Sequence, residues 1–188
     1  MLAVLWNDYV TLMLLNAAAG LFLVACYAWW GLTDPDQKRW APGFAASGLI
    51  ALATGLHMSL TWPLDYQGGI FNIAYGETSA LFGAILLGTA LALWMNWGLL
   101  SIGIYSLFAA ALAVVVGVRI IHLGLTAQPL LAGAGFILTG LAGAFALPVL
   151  ANRDRRFLRA AGAIVLLVAV MIWVMTVYVA YWNHLIPS

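Results

Sequence analysis

The chain has 188 residues, 65% of them hydrophobic and 7% charged, against roughly 45–50% and roughly 25% in a soluble globular domain. A soluble fold of this length cannot hide so much apolar surface, and a formal net charge of +1 gives no reason to expect a nucleic-acid partner. Unbroken apolar runs exclude a transmembrane β-barrel, whose strands are short and alternating. What remains is an all-α polytopic membrane protein: a six-transmembrane-helix bundle with short loops, one domain over residues 1–188.

Each run matches the roughly 20 residues needed to cross the hydrocarbon core. The first is expected over 9–32, with Trp6 before it and Trp29 and Trp30 at its end. From Trp6 to Trp30 a helix rises about 36 Å, which sets Trp at both interfaces. Asn7 and Asp8 are placed to cap its first turn. The run lacks a basic n-region and is too long for an h-region, so no cleavable signal peptide is expected. Cys26, the single cysteine, lies mid-run and reads as a small core residue. The loop TDPDQKRWAPG follows, with Pro35 and Pro42 as breakers.

The second run, 44–62, stops at Pro63 and carries Ser47, Ala51, Gly55 and Ser59 at four-residue spacing. Such a stripe suits close helix contact where no water drives association. His57 lies nearly opposite Gly55 on the wheel, with Thr54 and Thr61 near its face. In the next loop Gly68-Gly69 breaks the helix and Asn72 is a candidate start for the third run, 73–97. That run carries Ala80, Ala84, Gly88 and Ala92, so helices two and three are expected to pack together. Asn96-Trp97-Gly98 makes a tight turn into the fourth run, 99–123, which ends near Arg119 and His122. The fifth, 130–150, is glycine-rich, and Pro148 is expected to kink or end it. The basic loop NRDRRFLRA leads to the sixth run, 160–182, and short loops favour up-and-down neighbours.

Six of the seven basic residues fall in the first and fifth loops: Lys38, Arg39, Arg153, Arg155, Arg156 and Arg159. The positive-inside rule sets those loops in the cytoplasm and both termini outside, in a cell membrane. Asp8, His57, Asp65, Glu77, Arg119, His122 and His184 then gather toward the outer side.

An ionisable group in or near a membrane segment needs a reason, structural or functional. Glu77 has three readings: a first-turn acid favoured by the helix dipole, a partner of Arg119 at similar depth, or a ligand. His57 is either hydrogen-bonded to a neighbour such as Thr54, Thr61, Asn72 or Tyr75, or a ligand for haem, copper or zinc. The candidate site is His57 and Glu77, with Arg119 and His122 behind them, on the outer side. Its ligand class stays open among haem, a copper or zinc ion, a quinone and a lipid head, as does the metal. Ser59 and Ser79 are weak nucleophile candidates near His57 and Glu77. No nucleotide, haem-attachment or metalloprotease motif is present, and no paired broken helices point to transport. The leading functional reading is a non-catalytic subunit or scaffold of a larger membrane assembly, with the bilayer and other membrane subunits as partners. Ligand binding at His57 and Glu77 is the alternative, a small-solute transporter a further one, and catalytic activity is left open.

The segment WPLDYQGGIFNIAYGE, with Trp62, Pro63, Asn72, Ile73, Tyr75, Gly76 and Glu77, resembles a family of bacterial and archaeal integral membrane proteins of unknown function. LGLTAQPLLAGAGFILTGLAG is similar to its later part. The resemblance implies the membrane architecture and no activity or cofactor. It draws attention to the entry of helix three.

Overall fold

The computed structural model describes residues 9–64 and 69–184, the last two by backbone alone. Among them are six helices long and apolar enough to cross a membrane, and no strand. They are α1 (Val10–Trp29), α2 (Ala41–Thr61), α3 (Thr78–Trp94), α4 (Leu100–Leu123), α5 (Pro129–Ala151) and α6 (Arg156–His184). Two 3₁₀ turns, Gly31–Thr33 and Gln37–Trp40, join α1 to α2, and a π-helical turn, Asn72–Glu77, leads into α3. The chain is a multi-pass membrane protein. Trp6, Asn7, Asp8, Asp65 and Gly68 lie outside the described residues, as does the side chain of His184.

Several ends differ from the sequence expectation for local reasons. Pro42 stands in the first turn of α2 instead of breaking it, because a helix's first N–H groups need no intrahelical partner. Pro148 stays inside α5, three residues before its end at Ala151. α3 stops at Trp94, where Trp97 N–H reaches Ala92 O (2.7 Å) and Asn96 N–H reaches Leu93 O (3.3 Å). That is the Schellman pattern, with Asn96 left-handed at φ 56°. Gly124 closes α4 in the same way at φ 61°.

Each helix packs on its sequence neighbours, and α1 also packs on α6, so the six close into a ring. The tightest seams are built on glycine. Between α2 and the π turn with α3, the contact residues are Gly48, Leu52, Gly55 and Ser59 against Gly76, Ala80, Gly83 and Leu87. A Cβ on Gly48 would lie 2.7 Å from Leu87 N, and one on Gly83 2.8 Å from Gly48 O. The expected pairing of these helices therefore holds, but the α3 face is one position off the Ala80–Ala92 stripe. Gly88 of that stripe faces Ile102 of α4 instead. Gly117 and Gly133 make the same backbone approach between α4 and α5. Such contacts maximise dispersion where apolar burial gives no drive, since lipid tails are as apolar as the helices.

Polar groups tie the rest. Asn16 Nδ2 donates to Ser47 O (2.9 Å), joining α1 to α2. Arg159 donates from Nε to Ala28 O (3.0 Å) and from Nη2 to Trp29 O, so the start of α6 caps the C-terminal carbonyls of α1. This brings the loops 30–40, 95–99 and 152–155 to one end of the bundle, together with six of the seven basic residues. The other end carries the 62–71 loop and the ends of α2 and α4.

Candidate functional site

The WP…GG…N segment closes the loop between α2 and α3. Pro63 disfavours continued α backbone at Trp62, which turns left-handed at φ 47°. The Trp62 ring lies against Gly69, itself at φ 76°, where a Cβ would come 2.6 Å from the ring. Asn72 is fully buried. Its Nδ2 donates to Leu64 O (2.7 Å) and Gly69 O (3.2 Å), and its Oδ1 accepts from Leu64 N (3.1 Å). Asn72 is thus a staple across the loop and makes no cap bond. The π turn that follows adds one residue per turn, a device frequent at functional sites. It carries Tyr75 inward and leaves Glu77 exposed.

Tyr75 forms one end of a half-open cavity of 150 Å³ lined by α1, α3, α4, α5 and α6. At that end Tyr75, Phe136 and Trp173 form an aromatic wall, Tyr75 5.6 Å from Phe136 and Phe136 5.1 Å from Trp173, edge-on. Beyond it the lining is mostly aliphatic, Leu21, Val24, Ile85, Leu86 and Ala146, with Phe82 part-way along beside Gly20. Besides Tyr75, four Ser and Thr hydroxyls lie along it. Thr139 Oγ1 donates to Gly135 O (2.8 Å) and accepts from Trp173 Nε1 (3.0 Å). Ser106 Oγ bridges Gly103 O (2.7 Å) and Gly143 O (3.1 Å). Thr78 Oγ1 donates to Ala74 O (2.5 Å). Ser79 makes no hydrogen bond among the described residues, so its hydroxyl is the one uncommitted polar group on the wall. A largely apolar space of about this size has room for a ring-sized apolar guest. α3 and α4 touch least of any helices adjacent in sequence, so the wall is thinnest at that seam.

The four residues expected from the sequence stand outside this cavity. His57 is exposed; its Nδ1 is 2.7 Å from Tyr9 Oη, with the rings edge-on at 5.5 Å. Its expected partners are engaged elsewhere: Thr54 Oγ1 donates to Ile50 O (2.7 Å), Thr61 Oγ1 to His57's own carbonyl (2.7 Å), and Asn72 to its loop. Arg119 and His122 do come together, Nη1 to Nδ1 at 3.3 Å, both exposed. Arg119 makes no ion pair with Glu77: among the described residues the ion pair is Arg39 with Asp34. No three His, Cys, Asp or Glu side chains gather as a metal-binding group among the described residues. Ser59 donates to Gly55 O (2.9 Å), while Ser79 faces the cavity.

The sequence reading did not single out Phe136, Thr139 or Trp173. One signal was available. Trp in a membrane helix favours the interfaces, yet Trp173 falls mid-way along the sixth run, which marks it as facing protein; it is 3% exposed.

No curated protein and no solved structure matches this chain. A family described as "Protein of unknown function (DUF981)" matches residues 2–186, and the chain belongs to it.

Proposed function

We propose that this protein binds an apolar ligand with a carbonyl-bearing ring, of the isoprenoid quinone class, inside the bilayer. The observation that carries the reading is the cavity between α1 and α3–α6, with a cluster of three aromatic rings at one end and mostly aliphatic side chains, with Phe82, beyond it. The ring would lie against Tyr75, Phe136 and Trp173, where the Ser79 hydroxyl offers a hydrogen bond to a carbonyl. The tail would leave through the thin α3–α4 seam. This moves the expected ligand site inward from His57 and Glu77, which stay at the same end of the bundle as a polar rim with Arg119 and His122. The six basic residues at the opposite end support a cytoplasmic placement of that end and termini outside.

Fluorescence quenching by a short-chain quinone tests the reading. Saturable quenching is expected in the purified protein, reduced in Trp173→Phe and abolished in Ala17→Phe, which fills the cavity. Quenching that rises linearly and is the same in Ala17→Phe reflects partition into detergent and ends the proposal.

The reading as a subunit of a larger assembly rests on the small extramembrane mass, the lack of a strong catalytic constellation and the small-residue stripes, and of these the stripes make contacts within this chain. It remains the second reading.

A further inference from the structure

The end of the bundle remote from the aromatic wall holds a second cavity, of 220 Å³. The turn between α3 and α4, the turn between α5 and α6, and the Gln37–Trp40 turn meet around it. Its polar lining is Tyr27, Gln37, Asn96 and Arg153, with Trp97 at the edge. Two of these groups are fully committed. The Tyr27 hydroxyl donates to Gln37 Oε1 (2.6 Å), and Gln37 Nε2 donates to Gly31 O (2.7 Å) and Asp34 O. The other two are not. Asn96 is held left-handed by the turn, and its side-chain amide makes no hydrogen bond among the described residues. Arg153 makes no ion pair or hydrogen bond among them either.

Arg155 and Arg156 are equally unpaired and exposed, and what distinguishes Arg153 among these three is that it lines the cavity. Arg39 is paired with Asp34, and Arg159 is bound to the carbonyls of α1. Lys38 lies 5.9 Å over the Trp94 ring. Of the acids at this end, Asp34 is held by Arg39, Asp36 N–H and Trp40 Nε1, and Asp36 and Asp154 are exposed. The half-open cavity therefore carries at its exposed rim the Arg153 guanidinium and the Asn96 amide, both able to donate, within a net positive end. Arg presents a rigid fork of donors suited to phosphate oxygens. Trp94 and Trp97 beside it are exposed at the level where headgroups lie.

We propose that this cavity binds a phosphate group through Arg153 and Asn96, carried by an anionic phospholipid headgroup or present as free phosphate. Basic pockets at the cytoplasmic ends of helices hold such headgroups through the same charge chemistry.

The test is binding of short-chain phosphatidylglycerol and, separately, inorganic phosphate to the detergent-purified chain, read by native mass spectrometry and thermal shift. Arg153→Gln removes the fork. Asn96→Asp keeps a residue that tolerates the left-handed backbone and adds a repelling charge. Arg155→Gln is the control, an exposed cation outside the cavity. Phosphatidylglycerol bound at least about fivefold more weakly by the first two variants, and unchanged in the control, supports the headgroup. The same pattern with inorganic phosphate alone supports the free ion. Binding of neither probe, or equal loss in all three variants, overturns the proposal. If Arg153→Gln does not fold, Asn96→Asp carries the comparison.

Discussion

At the scale of single residues, the charged and polar groups divide by what they hold. Asn72 holds a loop together with three hydrogen bonds from a fully buried amide. Asn72→Ala removes the partners of the partly buried Leu64 N–H and C=O, and a fully buried group left unmet costs about 1–3 kcal/mol, an upper bound here. We expect Asn72→Ala to lower the thermal midpoint in detergent by several degrees; an unchanged midpoint would show that water satisfies both groups. Asp34 behaves as an electrostatic anchor of the first loop. The Asp36 N–H bond, then Trp40 Nε1 and the Arg39 guanidinium, hold its carboxyl below the usual range, against some opposing burial. A lowered folded pKa means that its contribution is complete above the unfolded value of about 3.9. It fades as pH falls through the lowered folded value, because the unfolded chain then binds the proton first. Thermal melts from pH 6 to 3 should show a steeper acid decline for the natural chain than for Asp34→Asn. Parallel curves would remove Asp34 from the account.

At the scale of elements, the seams differ in how much change they tolerate. Between α2 and α3 a Cβ on Gly55 would sit 2.8 Å from both Gly76 O and Ala80 Cα, atoms of backbone that cannot rotate away. Gly55→Ala must push the helices apart, and overpacking of this kind costs typically about 1–3 kcal/mol. Gly98, in the α3–α4 turn, has nothing within 4 Å of its would-be Cβ. Gly98→Ala should be neutral within about 0.5 kcal/mol. Gly124→Ala has open space too, but its left-handed backbone should cost about 1–2 kcal/mol. Measured side by side in unfolding titrations, the three should rank Gly55 and Gly124 well above Gly98. A Gly98→Ala loss as large as that of Gly55→Ala would mean that the α3–α4 turn, and not the backbone seam, limits stability.

At the scale of the whole molecule, the ring of six helices sets two ends of different character. One carries six of the seven basic residues and the phosphate-binding candidate. The other carries the stapled loop, His57 with Tyr9, and Arg119 with His122. With Cys26 replaced by Ala, a membrane-impermeant thiol reagent should label Gln128→Cys from outside intact cells and Asp36→Cys only after permeabilisation. The reverse pattern would invert the orientation; labelling of both from one side would contradict the up-and-down ring. Native mass measurement in mild detergent addresses the subunit reading. A strict monomer that retains lipid-like mass is expected from the ligand reading, and a stoichiometric protein partner from the subunit reading.

The six spans were legible because crossing a bilayer imposes a length and a composition on every helix separately, and each apolar run carries both. The breaks at Pro63 and Asn96-Trp97-Gly98 were legible for the same reason, since turn chemistry is local. The contact face of α3 was not. A stripe at Ala80, Ala84, Gly88 and Ala92 is as apolar as, and even smaller than, the true face through Gly76, Ala80, Gly83 and Leu87, and the π turn shifts the register before α3 begins. The partner of His57 was hidden because Tyr9 lies 48 residues away. The cavity was hidden for a deeper reason. Residues lining it are the same Ala, Leu and Phe that elsewhere face lipid, and in a membrane both environments are apolar. No hydrophobic pattern separates inside from outside there, so only the packing of five helices against one another decides where a space is left.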